Sequence, residues 1–155
     1  MRLFRPASLR WIHWCYAVWW CAVGTSSAGA VSPEAVLQTL VVPPGFQVTL
    51  AAAPDVVRFP MFACFDDQGR LYVAESSGTD LYAGLQKLSR DCRVIRLEDT
   101  DRDGVFDRSD VFVKDVTFPM GLAWRGGRLY LADPPDLVVL TEEPASPGRP
   151  RREVV

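Results

Sequence analysis

An all-β fold is predicted by three features of the 155-residue sequence. Short apolar runs rich in aromatic residues stand where strands would. Clusters of Asp, Gln and Gly punctuate them as turns. Most of this pattern is written twice. Phe59-Pro60-Met61 recurs as Phe118-Pro119-Met120, 59 residues on, and Gly69-Arg70-Leu71-Tyr72 recurs as Gly127-Arg128-Leu129-Tyr130, 58 on, so one residue is lost in the turn. Ala74-Glu75 matches Ala132-Asp133. A weaker match sets Val94 to Glu98 against Val138 to Glu142, and Val111 against Val155.

The elements follow in order. Gln47 to Ala51 reads as a strand before the first copy. Met61 to Phe65, the turn Asp66 to Gly69 and Leu71 to Ala74 make a hairpin. Ser76 to Asp91 is a polar insert, Arg93 to Leu97 a third strand, and Asp110 to Val116 a fourth. The second copy tightens its turn to Arg125-Gly126-Gly127-Arg128, and adjacent glycines suit the positive φ of a tight hairpin. Its third strand is Leu137 to Thr141, and it ends as its fourth should begin. Four strands per repeated unit is the plan of a β-propeller blade. The alternative is two unrelated hairpins that happen to agree. Propellers close with roughly 4–8 blades. The sequence therefore predicts about two blades, incomplete, over residues 45–155, with the rest of the ring supplied by missing C-terminal blades of a longer protein.

Residues 1–30 read as a signal peptide. Arg2, Arg5 and Arg10 form a positive region, Trp11 to Gly24 is apolar but for His13, and Ala28-Gly29-Ala30 is a small-x-small cleavage pattern. A membrane anchor is the alternative, but the run is short against the roughly 20 residues a spanning helix needs, so no transmembrane span is expected. The expected location is exported, periplasmic or secreted, and residues 31–44 read as a linker. Residues 31–155 hold 14 Lys and Arg against 19 Asp and Glu, a net charge of −5, so no nucleic-acid partner is expected. The single histidine, His13, leaves with the leader, which excludes Ser–His pairs and His-ligated zinc or haem from the rest. Cys64 and Cys92 remain, and an oxidising compartment makes a disulfide possible. If a third strand separates theirs, the α-carbons lie too far apart to bridge. Buried thiols are the alternative.

The most chemical stretch is Glu98-Asp99-Thr100-Asp101-Arg102-Asp103-Gly104-Val105-Phe106-Asp107-Arg108-Ser109-Asp110, between strands three and four. Alternating carboxylates around a glycine bend can turn oxygens toward one point, and calcium wants 6–8 oxygens. Asp99, Asp101 and Asp103 are the expected side-chain ligands, Val105 a carbonyl ligand, and Asp107 or Asp110 the completion of the shell. The β-like flanks argue against a full EF-hand. A solvated acidic loop, its Asp side chains accepting from turn amides, is the alternative. The second copy's counterpart, Pro144 to Arg152, has no acid, so the hairpin itself does not require carboxylates. Glu75 and Asp133 sit at equivalent strand ends, where a carboxylate can tie down the next loop through backbone amides or face a channel. Arg58, Arg70 and Arg128 read as solvated flank charges, with contact to an anionic ligand the alternative, and Phe65 and Trp124 as core between sheets.

Gly45-Phe46-Gln47-Val48, the Gly69 to Glu75 run, Leu97 to Gly104 and Phe118-Pro119-Met120-Gly121-Leu122-Ala123 together resemble the start of the planctomycete-type putative membrane-bound dehydrogenase propeller domain. That family is similar to the glucose/sorbosone dehydrogenases, whose propeller can hold the quinone cofactor PQQ. The resemblance implies the N-terminal part of an exported quinoprotein-type sugar or alcohol dehydrogenase, with a small sugar or alcohol as substrate and PQQ in the full-length protein. The related soluble enzymes use a catalytic His, and no His matches it in residues 31–155, so no catalytic or cofactor-binding residue is assigned. Two other readings stay open: a non-catalytic, calcium-stiffened propeller scaffold for glycans or protein partners, and an adhesin-like calcium module.

Overall fold

The computed structural model describes residues 31–143 and 149–155. The expected signal peptide lies outside the described residues, as does much of the second copy's counterpart to the acidic loop. The fold is all-β. Strands β1 (Pro60–Phe65), β2 (Leu71–Glu75), β3 (Cys92–Glu98) and β4 (Arg108–Val116) form one antiparallel sheet in sequence order. Strands β5 (Gly121–Arg125), β6 (Arg128–Asp133), β7 (Asp136–Thr141) and β8 (Arg151–Val154) form a second with the same order. Each sheet is the four-stranded meander of a propeller blade. Both Phe-Pro-Met segments lead into the first strand of their own sheet, and β1 and β5 lie against each other. Among the described residues, no helix is long and apolar enough to cross a membrane.

Several expectations need correction. The second copy has its fourth strand, β8, paired to β7 with Val138 opposite Val154. Gln47 to Ala51 is not a strand. Both edges of β3 are taken by β2 and β4, so this segment finds no free ladder there; instead Ala52, Val56 and Val57 cover Val73, Ile95, Leu97 and Phe106, and Ala51 O accepts from Phe106 N at 2.7 Å. The polar insert contains a short helix, α2 (Leu81–Gln86), following α1 (Pro33–Leu37) in the chain. Asp80 caps α2, accepting from the amides of Tyr82 and Ala83. The weak match of the third strands is off by one. Leu71 pairs with Leu97 and Leu129 with Leu140, so Leu97 corresponds to Leu140, Ile95 to Val138 and Arg96 to Val139. A one-residue slip reverses every side chain's face, so the distinction decides which residues pack where.

With that register the packing becomes plain. The first sheet turns Tyr72, Ala74, Cys92, Val94, Phe112 and Val116 toward Leu129, Leu131, Val138 and Leu140 of the second. The equivalents of Tyr72 and Ala74 are Tyr130 and Ala132, which alternate with Leu129 and Leu131 along β6 and so lie on the other face of the second sheet. The two units therefore stack front to back, as repeats in an array do, not front to front. Trp124 lies against Tyr72 with ring centroids 5.3 Å apart and planes 22° apart, and Phe112 meets Tyr72 edge-on at 4.9 Å. Phe65, expected in the core, is 60 % exposed, although its ring lies 6.3 Å from that of Phe106. It is the last residue of β1 and faces outward beside the turn, whereas Trp124 leans onto the neighbouring sheet. Cys64 on β1 and Cys92 on β3 are free thiols with β2 between them, the arrangement that forbids a bridge.

Candidate functional site

The Asp99–Asp103 loop leaves β3 and returns at β4. Within it Asp99, Asp101 and Asp103 each place a carboxylate oxygen within 4.8 Å of the others. The backbone permits this by bending at Arg102 (φ +64°) and Gly104 (φ +93°). The carboxylates are held by the loop's own amides. Asp99 Oδ1 accepts from Arg102 N at 2.7 Å and its Oδ2 from Gly104 N at 2.9 Å. Asp101 Oδ1 accepts from Asp103 N at 3.3 Å, and Asp103 Oδ1 from Val105 N at 2.7 Å.

The converging set is narrower than the sequence suggests. Val105 joins the cluster by donating its N–H to Asp103 Oδ1 at 2.7 Å. Asp107 turns to Thr100, accepting from its amide at 3.1 Å and from its hydroxyl at 2.6 Å, and these bonds hold its carboxyl below the ordinary carboxylate range. Asp110 stands beside Arg96 (3.6 Å) and Arg108 (3.5 Å). Spacing in the chain gave both residues a place in the shell, but β4 begins at Arg108, and strand pairing directs Asp110 across to Arg96.

The strand-end carboxylates are buried and committed. Glu75 Oε1 accepts from Arg58 N and its Oε2 from Arg93 Nε, both at 2.6 Å. Asp133 Oδ1 accepts from the amides of Thr117 and Phe118 at 2.8 and 2.9 Å, and its Oδ2 meets Arg152 Nη2 at 2.9 Å. Each thus ties the chain entering its sheet to the end of the second strand, the loop-fastening role rather than a channel-facing one. Arg70, read as a solvated charge, is instead paired with Asp66, whose Oδ1 also accepts from the amides of Gln68 and Arg70. Arg58 and Arg128 remain at the surface.

Sequence reasoning passed over the polar links between the sheets. Arg96 Nη1 donates to Glu142 Oε1 at 2.7 Å, with Arg70 3.8 Å from the same carboxylate. Burial works against the Arg96 charge, but Glu142 outweighs it and holds the guanidinium's pKa above its ordinary value. Trp124 Nε1 donates to Asp67 Oδ2 at 3.0 Å. The signal was available: an arginine between Ile95 and Leu97 in a buried strand demands a partner.

The profile of a family described as a domain of unknown function (DUF7133) matches residues 32–146. No curated protein and no solved structure matches the chain.

Proposed function

The chain belongs to the DUF7133 family, and from that premise we propose that it supplies the first blades of an exported β-propeller of the glucose/sorbosone dehydrogenase kind, one of them stiffened by calcium. The observation that carries this reading is the front-to-back stacking of two duplicated sheets. Such stacking repeats without an internal stop and leaves the second sheet's far face, with Leu137 44 % exposed, suited to a further sheet. Further blades then close the ring and bring the sugar or alcohol chemistry.

The described residues do not by themselves fit PQQ. No histidine lies in residues 31–155, Glu75 and Asp133 are consumed by structural bonds, and Arg70, Arg93 and Arg96 are paired with carboxylates. The donor set of Asp99, Asp101 and Asp103 does fit a hard cation: three carboxylates converge within 4.8 Å of one another, and among the described residues none of them forms an ion pair. Calcium there would fix the β3–β4 connection, a mechanical role.

Calcium titration of the exported protein should give saturable binding that Asp101→Ala with Asp103→Ala abolishes; identical heats for both proteins remove the cation site. Its first residue should be Val31 by mass spectrometry, and an intact leader removes the secretory reading. Message sequence beyond codon 155 should encode further units of the Gly-Arg-Leu-Tyr type and a histidine. Further blades without a basic, histidine-bearing pocket would favour a non-catalytic scaffold for glycans or protein partners, the reading that the structural use of Glu75 and Asp133 already supports.

A further inference from the structure

Phe65 and Trp124 hold equivalent places, each opposite the leucine of its own Gly-Arg-Leu-Tyr motif, Leu71 or Leu129. Trp124 stacks on Tyr72 of the first sheet. Phe65 stacks on no tyrosine among the described residues and is 60 % exposed. The two residues differ in surroundings because one back face is covered by a neighbouring sheet and the other is not.

The equivalence extends across both faces. The second sheet turns Leu122, Trp124, Leu129, Leu131, Val138 and Leu140 toward the front of the first. The same register puts Ala63, Phe65, Leu71, Val73, Ile95 and Leu97 on the back of the first sheet. Ala52, Val56 and Val57 cover part of that back. What they leave is a hollow of about 360 Å³ lined by apolar residues only, Ala63, Leu71, Val73 and Leu97 among them. Ala63 stands where the second sheet has the larger Leu122, which makes room for an incoming side chain.

The second sheet has the complementary lack. Tyr130 and Ala132, counterparts of Tyr72 and Ala74, are half-buried, whereas Tyr72 and Ala74 are fully enclosed. A back without a front stands at one end of the pair, and a front without a back at the other. Uncovered apolar faces of this kind are where a stack of repeats continues.

We infer that the back of the first sheet seats the last unit of the ring, whose Gly-Arg-Leu-Tyr tyrosine enters the hollow and stacks on Phe65 as Tyr72 stacks on Trp124. The inference rests on the reading that further units follow residue 155. It specifies the occupant: an antiparallel sheet with Tyr-x-Ala on the front of its second strand. Continuity with the Tyr72–Trp124 interface selects that occupant, because the same apolar positions already take such a front one sheet further on.

Hydroxyl-radical footprinting of the full-length exported protein reads Phe65 without any substitution. Native Phe65 should be protected to the level of the buried Phe112, and both should become reactive on unfolding. Oxidation of native Phe65 at its unfolded rate overturns the inference. Thiol cross-linking then identifies the cover, in a Cys64→Ala background because the second sheet has Ala123 at that place. A short bifunctional reagent should join Phe65→Cys, within one molecule, to a cysteine replacing the last unit's tyrosine. Joining of Phe65→Cys to Tyr130→Cys between molecules would make a second copy the occupant and overturn the inference. Message sequence without further units removes the underlying reading and this inference together; further units with a reactive Phe65 remove this inference alone.

Discussion

Arg96 Nη1 and Glu142 Oε1 stand 2.7 Å apart, an ion pair that joins the third strand of one sheet to the residue just beyond the third strand of the next. The arginine's counterpart in the second sheet is Val139, so the repeat keeps the position and not the chemistry. Arg96 is charged in the first interface because Glu142, Glu98 and Asp110 surround it.

Glu142→Ala should therefore destabilise the fold by about 1–2 kcal/mol, since Glu98 and Asp110 keep the guanidinium partly compensated. Denaturant unfolding can be followed through Trp124, the only tryptophan in residues 31–155. Glu143→Ala, a neighbouring exposed carboxylate without a partner among the described residues, should leave the midpoint in place.

Asp133 is the more severe site. Removing it strands two amides and Arg152 beside a carboxylate pocket that is fully enclosed. Asp133→Ala should cost about 3–5 kcal/mol, and Asp133→Asn, which keeps an acceptor for the amides, clearly less. Comparison with Arg152→Ala in the same unfolding assay separates the charge from the amide bonds. Equal midpoints for the Ala and Asn proteins would show that the amides contribute nothing.

Much of this architecture was legible in the chain, for reasons that differ by element. The hairpins were visible because turn glycines and alternating apolar residues are local signals. Gly126 and Gly127 indeed take φ values of +58° and +75°. The strand-end acids were visible because the repeat wrote them twice. What stayed hidden was set by pairing over distance. Nothing local tells Asp110 from a metal ligand, since its fate depends on lying opposite Arg96 across the β3–β4 ladder. Nothing local makes Gln47 to Ala51 irregular: the segment leads into Ala52, Val56 and Val57, which cover a face of the sheet, and its one backbone bond to the blade among the described residues is from Phe106 N to Ala51 O. The offset of the third strands was lost for the same reason: the side-chain pattern of Val94-Ile95 fits Val138-Val139 equally well until β2 and β6 fix the register.

The close fit at Gly78 gives a backbone prediction. Its φ is +74°, and a Cβ there would run into the Phe59 ring. Gly78→Ala should destabilise by about 1 kcal/mol or somewhat more. Phe59 is exposed and its ring can swing aside, so Phe59→Ala should recover only part of the loss. Full recovery would mean that the clash, not the left-handed backbone, carries the cost.

The two thiols should be slow to react. Burial pushes the Cys64 thiol up, with Asp66 adding to it, and burial likewise pushes up that of Cys92, whose Sγ donates to Thr117 O at 3.5 Å. Thiolate is the reactive form, so labelling at neutral pH should be slow in the native protein and fast after unfolding. Native labelling of Cys92 at the unfolded rate would contradict its position in the core.

The Thr100–Asp107 contact predicts a pH dependence with a definite sign. Hydrogen bonds from the Thr100 hydroxyl and amide favour the charged Asp107, so its folded pKa lies below that of an ordinary aspartate. A depressed carboxyl contributes stability that is fully present above the unfolded pKa and lost as pH falls through the folded one. The contribution should therefore be constant from neutral pH down to about 4 and fade only in more acidic solution. Thr100→Val removes the hydroxyl bond and keeps the amide, so the Asp107 titration, followed by carboxyl NMR, should move up toward the ordinary range without reaching it. An unmoved titration would place the cause of the depression elsewhere in the loop, most directly in the nearby amides of Asp107 and Arg108, which also favour the ionised form.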